Sequence, residues 1–223
     1  MTHPHQLHAL RAAWTLHATR QHLDRAVARE AAERRAEARI IAAAAAIQAW
    51  RPIPGPAARG VHGDPASRAA VNVLEPEWRD GQLARLAGRT ADLLRWLARN
   101  TDPRPDQDHP EPLHHLQRVA TRLGPAGAWH LARWLDEADQ RIRDTLHLDP
   151  PGTPLPGLRC PRCARRQLHA HTTGPRSSWT ITCTPTCTCA GDTCPCRMPI
   201  RLADVPHVWG PDHPLTTSLT SAA

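Results

Sequence analysis

The chain has 223 residues, with 28 basic residues that are all Arg, 21 acidic residues, no Phe, no Tyr and a formal net charge of +7. That length allows one or two small domains. No apolar run approaches the roughly 20 residues of a membrane-spanning helix, and Met1–His5 lacks a basic-then-apolar leader pattern. The expected setting is cytoplasmic, with no membrane partner. With neither Phe nor Tyr, the core must come from Leu, Ala, Val, Ile and the 8 Trp. Ala buries little area, so thin helical packing is expected, with bound metal adding stability.

Residues 1–51 read as an Ala/Arg-rich helical arm. There is no Pro or Gly between His5 and Trp50, and Leu7, Leu10 and Trp14, then Leu23 and Val27, recur at three- and four-residue steps. Arg29 with Glu33 and Glu30 with Arg34 form i,i+4 pairs on a charged face. Arg51-Pro-Ile-Pro-Gly-Pro56 ends the helix. Residues 52–74 read as a linker in which Asp64 and Pro65 can start a short helix.

Residues 75–149 read as a helical domain. A first helix over 75–99 carries a stripe of Leu83, Leu86, Leu93, Leu94 and Leu97 with Trp78 and Trp96. Thr101–Pro112 is Pro- and Asp-rich connection. Leu113–Leu148, broken at Gly124-Pro125, reads as a helical hairpin with Trp129 and Trp134 among its apolar positions. Its Ala120-x3-Gly124 turn is longer than a DNA-binding helix-turn-helix requires. Asp149–Pro156 marks a boundary before a Cys-rich segment over 158–209. Residues 210–223 read as a flexible tail.

All seven cysteines lie in that segment. Cys160-Pro-Arg-Cys163 places two sulfurs on one side of a tight turn, where they can share a metal. Arg165–His171, a turn at Gly174-Pro175 and a β-branched stretch, Trp179–Cys183, suit a hairpin. The second cluster is Cys183-Thr-Pro-Thr-Cys187-Thr-Cys189-Ala-Gly-Asp-Thr-Cys194-Pro-Cys196. The order of knuckle, strand, turn, strand, knuckle is that of a zinc ribbon, with one or two Zn²⁺ as cofactor. Reduced, clustered cysteines point to metal rather than disulfides.

The first choice of ligands is Cys160, Cys163, Cys183 and Cys187. Cys189, Cys194 and Cys196 would then take a second ion with one of His169, His171 or His207. The alternative is a single site joining the first knuckle to Cys194 and Cys196. Four thiolate ligands leave no open coordination position.

The run from Cys183 through Cys196-x-Met-Pro-Ile200, with Val205-Pro-His207-Val-Trp209, resembles the tail of uncharacterised zinc-ribbon proteins of actinobacteria and their phages. In these a helical region precedes a Cys-Pro-x-Cys knuckle. The resemblance covers roughly residues 75–210. It implies a metal site and carries no activity. In one departure, Arg197 stands where a Gly would make a left-handed turn easy.

The fold class expected is mainly α: a helical N-terminal region with a small C-terminal β zinc ribbon. An enzyme is not expected, since no phosphate-binding Gly loop, His-Glu-x2-His or nucleophile elbow is present, and no small-molecule substrate is indicated. Nucleic acid is the first candidate partner, through Arg162, Arg165, Arg166 and Arg176 with Trp179 as a stacking ring. A protein partner is the second. The charge is +4 over residues 1–51, −1 over 52–157 and +4 over 158–223. Two Zn²⁺ on seven thiolates would lower the last value to about +1, so the tail is only weakly basic when loaded.

Overall fold

The structure, a computed structural model, describes residues 2–49, 81–101 and 110–220. The 52–74 linker, the Asp64–Pro65 helix start, Trp78 and the acidic 102–109 segment lie outside the described residues. The fold is mainly α with a small C-terminal antiparallel sheet. Among the described residues no helix is long and apolar enough to cross a membrane.

Helix α1 runs unbroken from Pro4 to Ala49. His3 caps it: its Nδ1 accepts from the His5 N–H at 3.2 Å, and Gln6 Oε1 accepts from the His3 N–H at 2.9 Å. This is the reciprocal logic of a capping box, with an imidazole in the Ser/Thr place. Helix α2 is Gln82–Thr101, α3 is Pro112–Val119 and α4 is Pro125–Leu146. Pro opens both α3 and α4, where its missing N–H costs nothing. His147 ends α4 in the left-handed region, with its N–H bonded to the Arg143 carbonyl.

Packing divides the chain into two compact units, Met1–His22 with Thr90–Ala223, and Leu23–Arg89. The helical arm expected over 1–51 is therefore partitioned within one continuous helix. The reason is visible in the burial. The first turns of α1 bury Leu7, Ala9, Leu10, Ala12, Ala13 and Leu16. Beyond Ala28 nearly every side chain of α1 that the structure describes is exposed, Ile40 at 70%. In the Leu23–Arg89 unit, Leu23 is fully buried and Glu30 pairs with Arg34 at 2.9 Å.

In the larger unit, Leu94 and Leu97 of α2, Leu113 and Leu116 of α3, and Leu131, Leu135 and Ile142 of α4 join the buried face of α1. Polar ties fix the α1–α4 packing. Arg11 reaches Asp136 at 2.5 Å, and Arg143 bonds Asp139 at 2.7 Å and Thr19 Oγ1 at 2.8 Å. Periodicity puts Trp96, Trp129 and Trp134 among the apolar positions, but they stand 47%, 43% and 39% exposed. Ala98, Ala128, Ala132 and Ala138 take inner seats and let the helices approach closely, so the indoles sit outside. Trp96 meets Trp134 edge-on there, with centroids 6.1 Å apart.

The sheet has the order β1-β2-β3-β4, all antiparallel, with β1 Thr153–Pro154, β2 His169–His171, β3 Thr180–Thr182 and β4 Val208–Trp209. β2 and β3 are the expected hairpin. β1 lies inside the stretch expected to be a boundary, and Leu155 N–H bonds the Leu168 carbonyl at 2.8 Å beside it. Of the stretch expected to be a flexible tail, the structure describes residues through Thr220. Helix α5, Pro214–Thr217, is short but seated, because Thr216 Oγ1 donates to the Trp209 carbonyl and Leu215 and Leu219 pack on the ribbon core.

α1 also holds the ribbon. His8 Nε2 lies 3.1 Å from the Pro206 carbonyl oxygen, and a Cβ on Gly210 would come within 3.2 Å of Leu7. Gly174, at φ +83, lies against the Trp14 ring so closely that a Cβ would strike it. Burial, then the Arg11 charge, pushes the His8 imidazole down to about 4. Burial and then Arg11 take His171 down to about 3.

Both shifts run the same way. The folded state keeps the rings neutral, while the unfolded chain protonates them below about 6.5. Their stabilisation is therefore complete above that pH and is lost as pH falls toward the folded values. In denaturant titrations across this window, the double variant His8→Gln/His171→Gln should show a shallower acid slope than the native chain. Leu135→Ala should cost about 2–5 kcal/mol by the same measurement, whereas Ile40→Ala should change stability by less than about 0.5 kcal/mol.

Candidate metal centres

The ribbon core contains ten buried residues, and six of them are cysteines: Cys160, Cys183, Cys187, Cys189, Cys194 and Cys196. Leu168, Ile181, Met198 and Trp209 supply the rest. So few aliphatic groups cannot hold a sheet of two- and three-residue strands by burial alone. All seven cysteines are free thiols.

The sulfurs fall into two groups. Cys160, Cys163, Cys183 and Cys187 form the first, and Cys189, Cys194 and Cys196 with His207 form the second; within each, the ligand atoms lie within 4.8 Å of one another. In the first group Cys160 and Cys187 Sγ are 3.8 Å apart, as are Cys163 and Cys183. In the second, Cys189 and Cys196 Sγ are 3.9 Å apart, and His207 Nε2 lies 3.4 Å from Cys194 Sγ. Four sulfurs on one tetrahedral ion at a bond length of about 2.3 Å stand about 3.8 Å apart. A ring nitrogen at about 2.0–2.1 Å stands about 3.5 Å from each sulfur. Both groups fit such an ion, and both could hold a metal.

Local backbone geometry builds these groups. Cys160 N–H bonds the Arg165 carbonyl at 3.0 Å and Ala164 N–H bonds the Cys160 carbonyl at 2.9 Å, which folds the first knuckle. Cys183 ends the hairpin, and the Cys187 N–H turns back to Thr184 O at 2.9 Å. Gly191–Thr193 makes a 3₁₀ turn that delivers Cys194. The return strand brings His207 alongside: its N–H bonds Cys187 O and its carbonyl accepts from Cys183 N, each at 3.3 Å. The His207 ring is fully buried, stacked on Trp209 at 5.6 Å and 8°. The Trp209 indole N–H is fixed on the Cys196 carbonyl at 2.9 Å.

The electrostatics of these thiols suit a cation. Burial, then the negative charge of Cys160, raises the Cys183 thiol to about 11. Burial, then neighbouring thiols, pushes Cys187 higher still, and burial leads the causes that take Cys196 to about 12. At Cys194 burial also opposes ionisation, but hydrogen bonds from the Ala190 backbone and His207 outweigh it and bring the thiol down to about 6. Each group thus mixes thiols that ionise easily with thiols that do not. A divalent ion supplies the charge that lets all of them ionise.

The structure separates the three candidate histidines. His207 joins the second group. His171 Nε2 instead lies 2.9 Å from Thr182 Oγ1, and His169 sits on β2 away from the sulfurs. Spacing could not choose among them, because the choice depends on β4 pairing with β3. The single-site alternative joining Cys160 and Cys163 to Cys194 and Cys196 is not the arrangement seen. Arg162, Arg165 and Arg166 are exposed around the first knuckle, and Arg176 is exposed in the 3₁₀ turn Arg176–Ser178. Trp179 is half-buried, with its indole N–H turned onto the Gly174 carbonyl at 3.3 Å.

Comparison with known families, curated proteins and solved structures finds no match to this chain.

Both knuckles share a feature. The residue after the last Cys is left-handed: Ala164 at φ 55 and Arg197 at φ 55. A side chain there costs about 1–2 kcal/mol, partly offset by the greater unfolded-state freedom of Gly. Ala164→Gly and Arg197→Gly should each raise the melting temperature of the metal-loaded chain, by up to about 1 kcal/mol in stability, as calorimetry would show. At ribbon positions of negative φ the same change should destabilise.

Proposed function

We propose that this chain is a nucleic-acid-binding accessory or regulatory protein whose C-terminal ribbon is stapled by two Zn²⁺ ions. The donor sets support zinc. Four soft anionic sulfurs, or three with one imidazole, satisfy a tetrahedral ion with no redox demand. Both sets are complete at four ligands, so neither centre keeps a position for water or substrate. The metals hold structure, and the protein acts by binding.

One observation carries the nucleic-acid reading. Several arginines of the helices are engaged with acids: Arg11 with Asp136, Arg34 with Glu30, Arg95 with Asp92, Arg141 with Glu137 and Arg143 with Asp139. By contrast Arg159, Arg162, Arg165 and Arg166 are exposed on one knuckle, and among the described residues none of the four has a carboxylate partner. Four unpaired guanidinium groups within eight residues, held on a rigid turn, suit phosphate oxygens. Arg176 and the open part of the Trp179 ring extend the same surface along the hairpin.

A protein-docking role is the second reading, and the exposed Trp96, Trp129 and Trp134 favour it. A salt series separates the two. On the first reading, an untagged, zinc-loaded chain should carry two zinc ions by elemental analysis. Its affinity for a labelled oligonucleotide should fall steeply between about 50 and about 200 mM salt. The triple variant Arg162→Ala/Arg165→Ala/Arg166→Ala should weaken binding and flatten the log–log salt slope by about 0.9 for each duplex phosphate that is no longer neutralised. Absence of binding at the lowest salt to both single- and double-stranded probes would end the nucleic-acid reading. A chain without metal, with thiols protected until reduced, would end the zinc reading.

A further inference from the structure

His207 belongs to one centre by its ring and to the other by its position. Nε2 faces the second group, 3.4 Å from Cys194 Sγ. Nδ1 faces the first, 2.8 Å from the Cys187 carbonyl oxygen and 3.4 Å from the Cys187 sulfur. With Nε2 free to bind a metal, the ring proton must sit on Nδ1, where it donates to Cys187. The backbone repeats the link, because the Cys187 carbonyl also accepts from His207 N–H and the His207 carbonyl accepts from Cys183 N–H. Cys183 and Cys187 are both first-group ligands.

The chain between the groups is equally short. Cys187 serves the first and Cys189 the second, with only Thr188 between them, and Thr188 pairs with Pro206 in an isolated bridge. Residues two apart in an extended segment project to the same side, roughly 7 Å apart. Asp204 N–H to Cys189 O and Cys189 N–H to Val205 O hold the other strand in register. Moving either sulfur out of place therefore moves the strand that carries His207.

From this geometry we propose that the two centres load as one unit: His207, donating from Nδ1 to Cys187 while Nε2 binds the second ion, makes metal binding at each centre favour binding at the other. The inference rests on the reading of the two groups as metal centres. Its physical content is preorganisation. An ion at the first centre fixes Cys183 and Cys187, which fixes His207 in tautomer and place. An ion on Nε2 in turn makes the Nδ1 proton a stronger donor to Cys187. Linkage requires the effect to be reciprocal, and one well-placed hydrogen bond of this kind corresponds to a factor of about ten in affinity.

The test uses the full-length chain, reduced and metal-free, titrated with Co²⁺ alone. Thiolate-to-cobalt absorption follows loading, and native mass spectrometry counts ions per chain. If the centres were independent, at least about half of the chains would carry a single ion at half-saturation. Coupled loading should hold that species well below half. His207→Cys preserves four ligands at the second centre but removes the ring proton. It should still bind two Co²⁺, with the one-ion species rising to half or more. Cys160→Ser/Cys163→Ser should lower the second centre's Co²⁺ affinity about tenfold or more. A native chain whose one-ion species reaches half would overturn the proposal, and so would a His207→Cys chain that loads as cooperatively as the native one. A chain that develops no thiolate–cobalt absorption at all would instead remove the metal reading on which the proposal stands.

Discussion

Six buried sulfurs occupy the ribbon core where another small domain would place Leu, Ile and Phe. Thiols at van der Waals distance from one another pack, but they do not ionise together, as the raised Cys183 and Cys196 show. A divalent ion in each group would turn that repulsion into a cross-link between segments joined otherwise by short ladders. β1 and β4 have two residues each and β2 and β3 three. Ladders so short are marginal without further support. The hairpin, the second knuckle and the return strand all depend on the sulfurs being gathered.

The helical part leans on the ribbon in turn. Leu7, His8 and Trp14 of α1 meet Gly210, Pro206 and Gly174, three points spread along the ribbon. These contacts use small or backbone groups on the ribbon side, so the fit is close and intolerant of added bulk. His8 and His171 remain neutral because burial and Arg11 disfavour their charged forms. The packing of helix on ribbon thus carries a pH dependence in addition to that of the thiols, with the same sign: acid weakens both.

Charge is arranged by element. Acids are frequent on the helices, where they pair with arginines on the same or a facing helix. The first knuckle has no acid within reach of its arginines among the described residues. Two bound divalent ions would leave the tail only weakly basic, yet Arg159, Arg162, Arg165 and Arg166 still lie exposed within one short stretch of chain. Local density matters more here than the net value of +7.

What the sequence determined by itself was local. Cys160-x2-Cys163 and the pairing of that knuckle with Cys183 and Cys187 were legible, because a two-residue gap dictates which way two sulfurs point and a hairpin returns the chain to where it began. The helices were legible from periodicity, and Pro112, Pro125 and the left-handed His147 mark their ends. The tertiary structure alone decided which His completes the second group, that Thr153–Pro154 joins the sheet, that α5 is seated, and that Trp96, Trp129 and Trp134 face outward. Each of these is set by a partner far along the chain. His207 is chosen by the register of β4 on β3, and the indoles face outward because alanines on the same helices take the inner seats. Arg197 shows the same limit from the other side. Its side chain argues against a left-handed turn, yet it adopts φ 55, because gathering Cys194 and Cys196 with Cys189 and His207 outweighs the local preference of one residue.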